Sequence, residues 1–217
     1  MRVAVVHDWL YTLGGAEQVR RRYPGLRIDI NILKLEEAID YLLLGRGDCV
    51  AMSYRLEHPG LDFMPLASGE LFCIVPGGHE LAGRKQVSAK EIIRYPLIGI
   101  DPNDPYGRIM AEIFARNKLK YDITIRARFG TTVCALVKAG LGIAVIDQFT
   151  VAHGGYPGVE VIRIVEPTRF DTYIAVKRGA PLSLHIEHFI DCLRTEMRAV
   201  GSHKIAAAKP VSRVRKK

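Results

Sequence analysis

The chain of 217 residues can bury a sizeable core, either as one domain or as two small lobes. Its composition is typical of a globular protein, and no apolar run approaches the ~18–20 residues that span a bilayer. Because the apolar start of the chain is too short for a signal peptide, we expect a cytoplasmic protein without membrane contact.

The formal charge of +8 is concentrated at the C-terminal end. Six cations and no carboxylate follow Gly201, which leaves a formal charge of only +2 for the preceding residues. Composition therefore does not indicate that the body binds nucleic acid. Residues 201–217 are predicted to be a basic disordered tail, which either adds non-specific DNA affinity or serves as a solubilising terminus.

The cysteines and histidines do not indicate a metal site or a catalytic centre. Cys49, Cys73, Cys134 and Cys192 lie far apart in apolar settings, so we expect buried free thiols. No CxxC pair, Ser/His/Asp set or acid pair stands out. We therefore expect no metal, no cofactor and no enzymatic activity.

The first third of the chain alternates strands and helices. The predicted elements are a strand at 2–7, a helix at 15–23, a strand at 27–34, a helix at 36–44 and a strand at 49–53. This βαβαβ order predicts a parallel sheet with right-handed crossovers. Strands at 61–66 and 70–75 follow, and Ser68-Gly69 between them predicts a turn.

A second α/β unit follows. Ser88 is predicted to N-cap a helix that ends near residue 94. The next predicted elements are a strand at 96–100, a helix at 104–117 and a strand at 121–127. Residues 129–148, FGTTVCALVKAGLGIAVIDQ, read as an amphipathic helix, a glycine corner and a buried strand. Strands at 159–164 and 170–177 and a helix at 183–200 complete the order.

Several of these segments, in this order, resemble one family. The segments are RRRYPGLRIDI, LLLGRGDCVAMS, GELFCIVPGGHELA, YPLIGID and the element at 129–148. Together, residues 20–200 resemble the effector-binding domain of LysR-type transcriptional regulators. The resemblance implies an α/β fold of the type II periplasmic-binding-protein kind, with two Rossmann-like lobes joined by two crossing strands. Lobe I would comprise residues 1–74 and 175–200, and lobe II residues 75–174.

The resemblance also implies a function. The chain would bind a small-molecule effector in the cleft between the lobes, as part of a homodimer or tetramer. It would reach DNA only through a helix-turn-helix domain that this sequence does not contain. IDPNDPYGR together with TTVCALVKAGLGIAVIDQFT most resembles the branch that senses amino acids and opines, so an amino acid or an opine-like zwitterion is the expected effector.

Two other functions stay open at this point. A solute-binding module of the periplasmic-binding type shares the same architecture. The opening segment, MRVAVVHDWLYTLGGAEQV, resembles the start of a family of retaining glycosyltransferases, so a glycosyltransferase fragment is the third hypothesis. Such an enzyme needs two full Rossmann domains, roughly twice this length.

The candidate ligand-binding residues follow the carboxyl ends of the predicted strands. Ligands of open parallel sheets bind there, where amide donors at helix N-termini favour a carboxylate. The candidates are His7, Asp8, Lys34, Leu35, Asp101, Asn103, Phe129, Thr131, Thr132 and Asp147. By resemblance, Leu35 stands where related domains place a Ser or Thr that binds an effector carboxylate. Since Leu35 cannot donate through its side chain, backbone amides or Lys34 would take over that contact.

Each polar candidate also has a structural interpretation. Thr131 or Thr132 would suit the N-cap of the following helix, where it could still contact a ligand. Asp101 would suit a cap or a turn with Pro102, and Asp147 a turn at the strand end. Asp147 would also suit a ligand ammonium.

Overall fold

The computed structural model describes residues 1–6, 11–152 and 156–202. The first group of elements is β1 (Arg2–Val5), α1 (Tyr11–Arg22), β2 (Asp29–Ile32), α2 (Leu35–Leu43), β3 (Cys49–Met52) and β4 (Leu61–Gly69). The second group begins with β5 (Leu71–Pro76), β6 (Gln86–Val87), α3 (Ala89–Ile92), β7 (Leu97–Gly99) and α4 (Pro105–Arg116). It continues with β8 (Ile123–Arg126), α5 (Gly130–Lys138), β9 (Ile143–Asp147), α6 (Gln148–Val151) and β10 (Val159–Ile164). The chain then returns through β11 (Phe170–Lys177) and α7 (Leu184–Ser202).

These strands form two sheets, which confirms the predicted two-lobed α/β fold. The first sheet has the order β2-β1-β3-β11-β4, and the second has the order β6-β10-β5-β9-β7-β8. As predicted, β1 runs parallel to β2 and β3. The returning strand β11 is inserted antiparallel between β3 and β4. In the second sheet β7 is parallel to β8 and to β9, so the carboxyl ends of these three strands share one edge.

The chain changes sheets at Glu70, where the predicted turn at Ser68-Gly69 is wrong. Instead, β4 runs straight through both residues, and Gly69 pairs with Phe170 of β11. A Cβ atom on Gly69 would lie 2.7 Å from the Phe149 ring and 2.9 Å from the Phe170 ring. The glycine is therefore required for close packing between aromatic rings rather than for a turn.

The second change of sheets falls between Ile164 and Phe170. The predicted lobe boundaries at residues 74–75 and 174–175 lie inside β5 and β11. Because β5 lies wholly in the second sheet and β11 wholly in the first, neither boundary coincides with a change of sheets.

Two side chains near the crossing between the sheets, Thr172 and Gln148, hydrogen-bond backbone groups. Thr172 accepts from the Ala67 N–H at 3.0 Å and donates to the Ala67 carbonyl at 2.7 Å. Gln148 Oε1 accepts from the Glu70 N–H at 2.8 Å, and its own N–H donates to the Glu70 carbonyl at 2.9 Å. The Thr172 bonds satisfy Ala67 at the register shift between Asp171 and Tyr173 of β11, and the Gln148 bonds satisfy Glu70 between the two sheets.

The core lies on both faces of each sheet because the strands alternate their side chains. Val3 and Val5 belong to the large cluster that includes Phe189 and Leu193 of α7, whereas Ala4 packs on the opposite face with α2. All four cysteines are buried and free, as predicted. Within the described residues, no helix is both long enough and apolar enough to cross a membrane.

Candidate functional site

A cleft of about 520 Å³ lies where strands of both sheets end. Its walls come from the residue that precedes α2, from the loop between β7 and α4, and from the end of β8. The lining residues are Lys34, Ile100, Asp101, Asn103, Asp104, Pro105, Arg126, Ala127 and Arg128. The structure thus brings three predicted residues, Lys34, Asp101 and Asn103, into one cleft at the predicted strand ends.

Both carboxylates of the cleft are already engaged. Asp101 accepts from the Asn103 N–H at 2.9 Å and lies 3.1 Å from the guanidinium of Arg126. Asp104 is the N-cap of α4 and accepts from the Tyr106 N–H at 2.8 Å. Asp101 therefore forms the predicted local turn but leaves the helix cap to Asp104.

The cations of the cleft are less fully paired. Lys34 and Arg128 have no ion pair within the described part of the chain, while Arg126 is paired with Asp101. The guanidinium carbon of Arg128 lies 5.5 Å from the centre of the Phe129 ring, which holds this cation beside the cleft. With three cations against two engaged carboxylates, the cleft is suited to an anion.

The helix after β8 begins without a side-chain cap. Phe129 occupies the N-cap position, so Thr131 and Thr132 lie inside the first turn and neither caps the helix. Gly130 is the first residue of the helix, and glycine fits there because a Cβ would lie 2.9 Å from the Thr150 methyl group. The positive end of the α5 dipole thus follows directly after Arg128.

Asp147 is placed apart from the cleft lining. Its carboxylate is fully buried and accepts from the Tyr106 hydroxyl, from the Thr150 hydroxyl at 2.7 Å and from the Thr150 N–H at 3.0 Å. Burial raises the pKa of Asp147, and the hydrogen bonds from Tyr106 and Thr150 oppose that rise. Asp147 caps α6 and ties it to α4, whose N-terminus forms a wall of the cleft.

The remaining predicted residues are His7, Asp8 and Leu35. His7 and Asp8 lie outside the described residues, as does the basic tail from residue 203. Leu35 begins α2, directly after Lys34. The Lys34 N–H donates to Glu37 at 2.9 Å, which fixes the start of this helix beside the cleft.

Three polar residues at these strand ends were not among the predicted site residues. Arg126 and Arg128 line the cleft. Arg128 directly follows the predicted strand at 121–127, which was the available signal, whereas Arg126 lies inside that strand. Ser53 directly follows β3, is 3% exposed, and its hydroxyl has no hydrogen-bond partner in the part of the chain that the structure describes. A buried, unpaired hydroxyl at the carboxyl end of a strand is a candidate ligand contact.

The profile of the LysR substrate binding domain matches residues 9–198, and the chain belongs to this family. The chain is 23% identical over 190 residues to the HTH-type transcriptional activator CmpR of Synechocystis, covering 87% of this chain and 62% of that protein. It is 25% identical over 171 residues to the transcriptional activator protein LysR of Escherichia coli, covering 77% of this chain and 54% of that relative. The chain therefore spans between about half and two thirds of the length of these curated relatives.

Solved structures share the fold. The BenM effector binding domain with its effector benzoate superposes with a TM-score of 0.75 at 18% identity, covering 94% of both chains. At such identities the likeness establishes the architecture of two lobes around a cleft, and it does not establish the ligand.

Proposed function

We propose that this chain is the effector-sensing part of a LysR-type transcriptional regulator and binds a small organic anion in the cleft. The observation that carries the proposal is the cationic balance of the cleft. Lys34 enters from the lobe I side, and Arg128 enters from the lobe II side. A carboxylate held by both cations would draw the lobes together, because each lobe supplies one of its partners.

The amino acid or opine class expected from the sequence is one case of this chemistry. Its carboxylate would lie against Lys34 and Arg128, and its ammonium against Asp101 or Asp104. The benzoate bound by the BenM domain is also an organic anion, which supports the class of ligand but not its identity. The buried hydroxyl of Ser53 would supply a further hydrogen bond from lobe I.

The relatives are transcriptional regulators, which supports a sensing role rather than catalysis. We propose that the chain acts in the cytoplasm as a homodimer or tetramer. Closure of the cleft would change the geometry of the assembly and reach DNA through a helix-turn-helix domain. The two-lobe division supplies the moving parts, with the hydrogen-bonded crossing near Glu70 as the hinge.

A thermal-shift screen followed by titration calorimetry tests this proposal. The panel contains amino acids, opines, simple carboxylates and nucleotide sugars. An effector at ~100 times its dissociation constant should add ~2.7 kcal/mol of stability, which raises the midpoint by roughly 5–11 °C for a domain of this size. A response to nucleotide sugars alone would instead favour the glycosyltransferase hypothesis.

Charge-removing variants then locate the site. We expect Lys34→Ala and Arg128→Ala each to weaken binding by about tenfold to a hundredfold, since each removes a charge-assisted hydrogen bond. Lys85→Ala is the matched control, because Lys85 is exposed and precedes β6 at the opposite edge of the second sheet. Equal affinity in all three variants would reject this cleft as the binding site.

A further inference from the structure

A second hollow of about 550 Å³ adjoins the cleft and shares Pro105 with it. One wall is the segment after β3, and the other is the exposed face of α4. The lining residues are Tyr54, Arg55, Leu56, Pro105, Arg108, Ile109, Ala111, Glu112 and Ala115. Between Pro105 and Ala115 the helix rises by ~15 Å, so the hollow extends away from the cleft along α4.

The chemistry of this hollow differs from that of the cleft. Leu56, Ile109 and the alanines of α4 give it an apolar surface. Its single carboxylate, Glu112, is bound by the guanidinium of Arg116, with Nε at 3.1 Å. Arg55 and Arg108 flank the apolar surface from opposite walls, and neither has an ion pair among the residues that the structure describes.

Two consequences follow for a ligand. Five cations against three engaged carboxylates across the two hollows select an anion over a cation. Covering the apolar surface beside them would stabilise the complex by about 25 cal/mol per Å². The aliphatic stems of Arg55 and Arg108 add to the apolar surface while their charged heads stay in water.

We infer that the effector is an organic acid with an extended apolar chain. This inference rests on the proposed function, since its carboxylate is the group held by Lys34 and Arg128. The apolar chain of the effector passes Pro105 and lies along α4, over Ile109 and against Leu56. The cleft alone would accept a short acid, and the adjoining hollow selects for the length of the chain.

The test is calorimetry with straight-chain carboxylates of four, six, eight and ten carbons. Each methylene that enters the hollow should strengthen binding by about fourfold, until the chain leaves the far end. Octylammonium and octan-1-ol, matched to octanoate in chain length, should bind at least tenfold more weakly because they lack the carboxylate.

Two variants that fill the hollow locate the chain. Ala111→Phe and Ala115→Phe place a ring over the apolar surface, and Ala115 is exposed, so its variant should fold normally. In both we expect the butanoate affinity to be unchanged and the dependence on chain length to be lost. A chain-length dependence that persists in both variants would place the apolar chain elsewhere and overturn the inference.

The outcomes also separate the inference from the proposed function. If acids bind with an affinity that is independent of chain length, and Lys34→Ala weakens them, the inference fails and the proposed function stands. If neither these acids nor the amino acids bind at millimolar concentration, both fail.

Discussion

Replacing Gly107 with alanine should displace the N-terminal turn of α4 from the cleft. Gly107 is the third residue of the helix, and a Cβ atom there would lie 2.0 Å from the Asp101 carbonyl oxygen and 2.9 Å from that of Ile100. Both contacts involve backbone, so a side-chain rotation cannot relieve them. The helix and the cleft loop must therefore separate by more than 1 Å to restore an ordinary contact of ~3.4 Å.

The size of the effect follows from two opposing terms. Alanine is favoured over glycine inside a helix by ~1 kcal/mol. Overpacking costs about 1–3 kcal/mol, and two backbone carbonyls within 3 Å place Gly107 at the upper end of that range. We expect a net loss of ~2 kcal/mol, or roughly 4–8 °C in the thermal midpoint, together with weaker effector binding.

Gly14→Ala is the matched control for this prediction. Gly14 lies within α1, where a Cβ atom would meet only side-chain atoms of Glu196, the nearest at 3.7 Å. The same chemical change should therefore stabilise the protein by up to ~1 kcal/mol. Chemical denaturation of both variants measures whether each substitution lowers or raises the free energy of unfolding. If Gly107→Ala were as stable as Gly14→Ala, the steric argument would be refuted.

Three further predictions concern other parts of the fold. Thr172→Val leaves the N–H and carbonyl of Ala67 unpaired and should cost about 2–4 kcal/mol in urea denaturation, whereas Thr172→Ser should keep most of the stability. Because the folded pKa of Asp147 is raised, its favourable contribution to folding stability is present below the unfolded pKa and is lost as pH rises through the folded pKa. The stability of the native protein relative to Asp147→Asn should therefore fall as pH rises. A stability difference that does not change with pH would contradict the burial of Asp147. The pKa of Glu91 is lowered to about 2, chiefly by the backbone N–H and hydroxyl of Ser88. The contribution of Glu91 to folding stability is therefore present above its unfolded pKa and is lost as pH falls towards 2. Denaturation of Glu91→Gln across this range should show a lower stability than the native protein at neutral pH, and this difference should disappear in acid.

One of two helix N-caps could be predicted from the local sequence. Ser88 caps α3 as predicted, because its hydroxyl accepts from the Glu91 N–H and Glu91 lies three residues further on. The cap of α5 was not predictable in the same way. Phe129 occupies the N-cap without a side-chain hydrogen bond, and the following Gly130 packs closely against Thr150, twenty residues away.

For the candidate site, the sequence predicted some of the cleft residues but not their hydrogen-bond partners. The strand-end rule predicted Lys34 at the carboxyl edge of the first sheet and Asp101 and Asn103 at that of the second, because parallel strands of one sheet end at a common edge. That these two edges line one cleft depends on how the sheets are packed together. The rule did not indicate which carboxylates are engaged. One donor to Asp147 is the hydroxyl of Tyr106, 41 residues earlier in the chain, and no local pattern in the sequence joins these two residues.

The sequence by itself determined the alternation of strands and helices, the family resemblance and several of the strand ends that line the cleft. These features depend on residue periodicity and on backbone preferences that act over a few neighbouring residues. Only the tertiary structure decided that β11 is inserted antiparallel beside β3 and that Gly69 continues a strand. It also decided that, among the described residues, Lys34 and Arg128 of the cleft have no ion pair, whereas Arg126 does. Each of these depends on contacts between residues that are far apart in sequence, which form only when both sheets have been assembled.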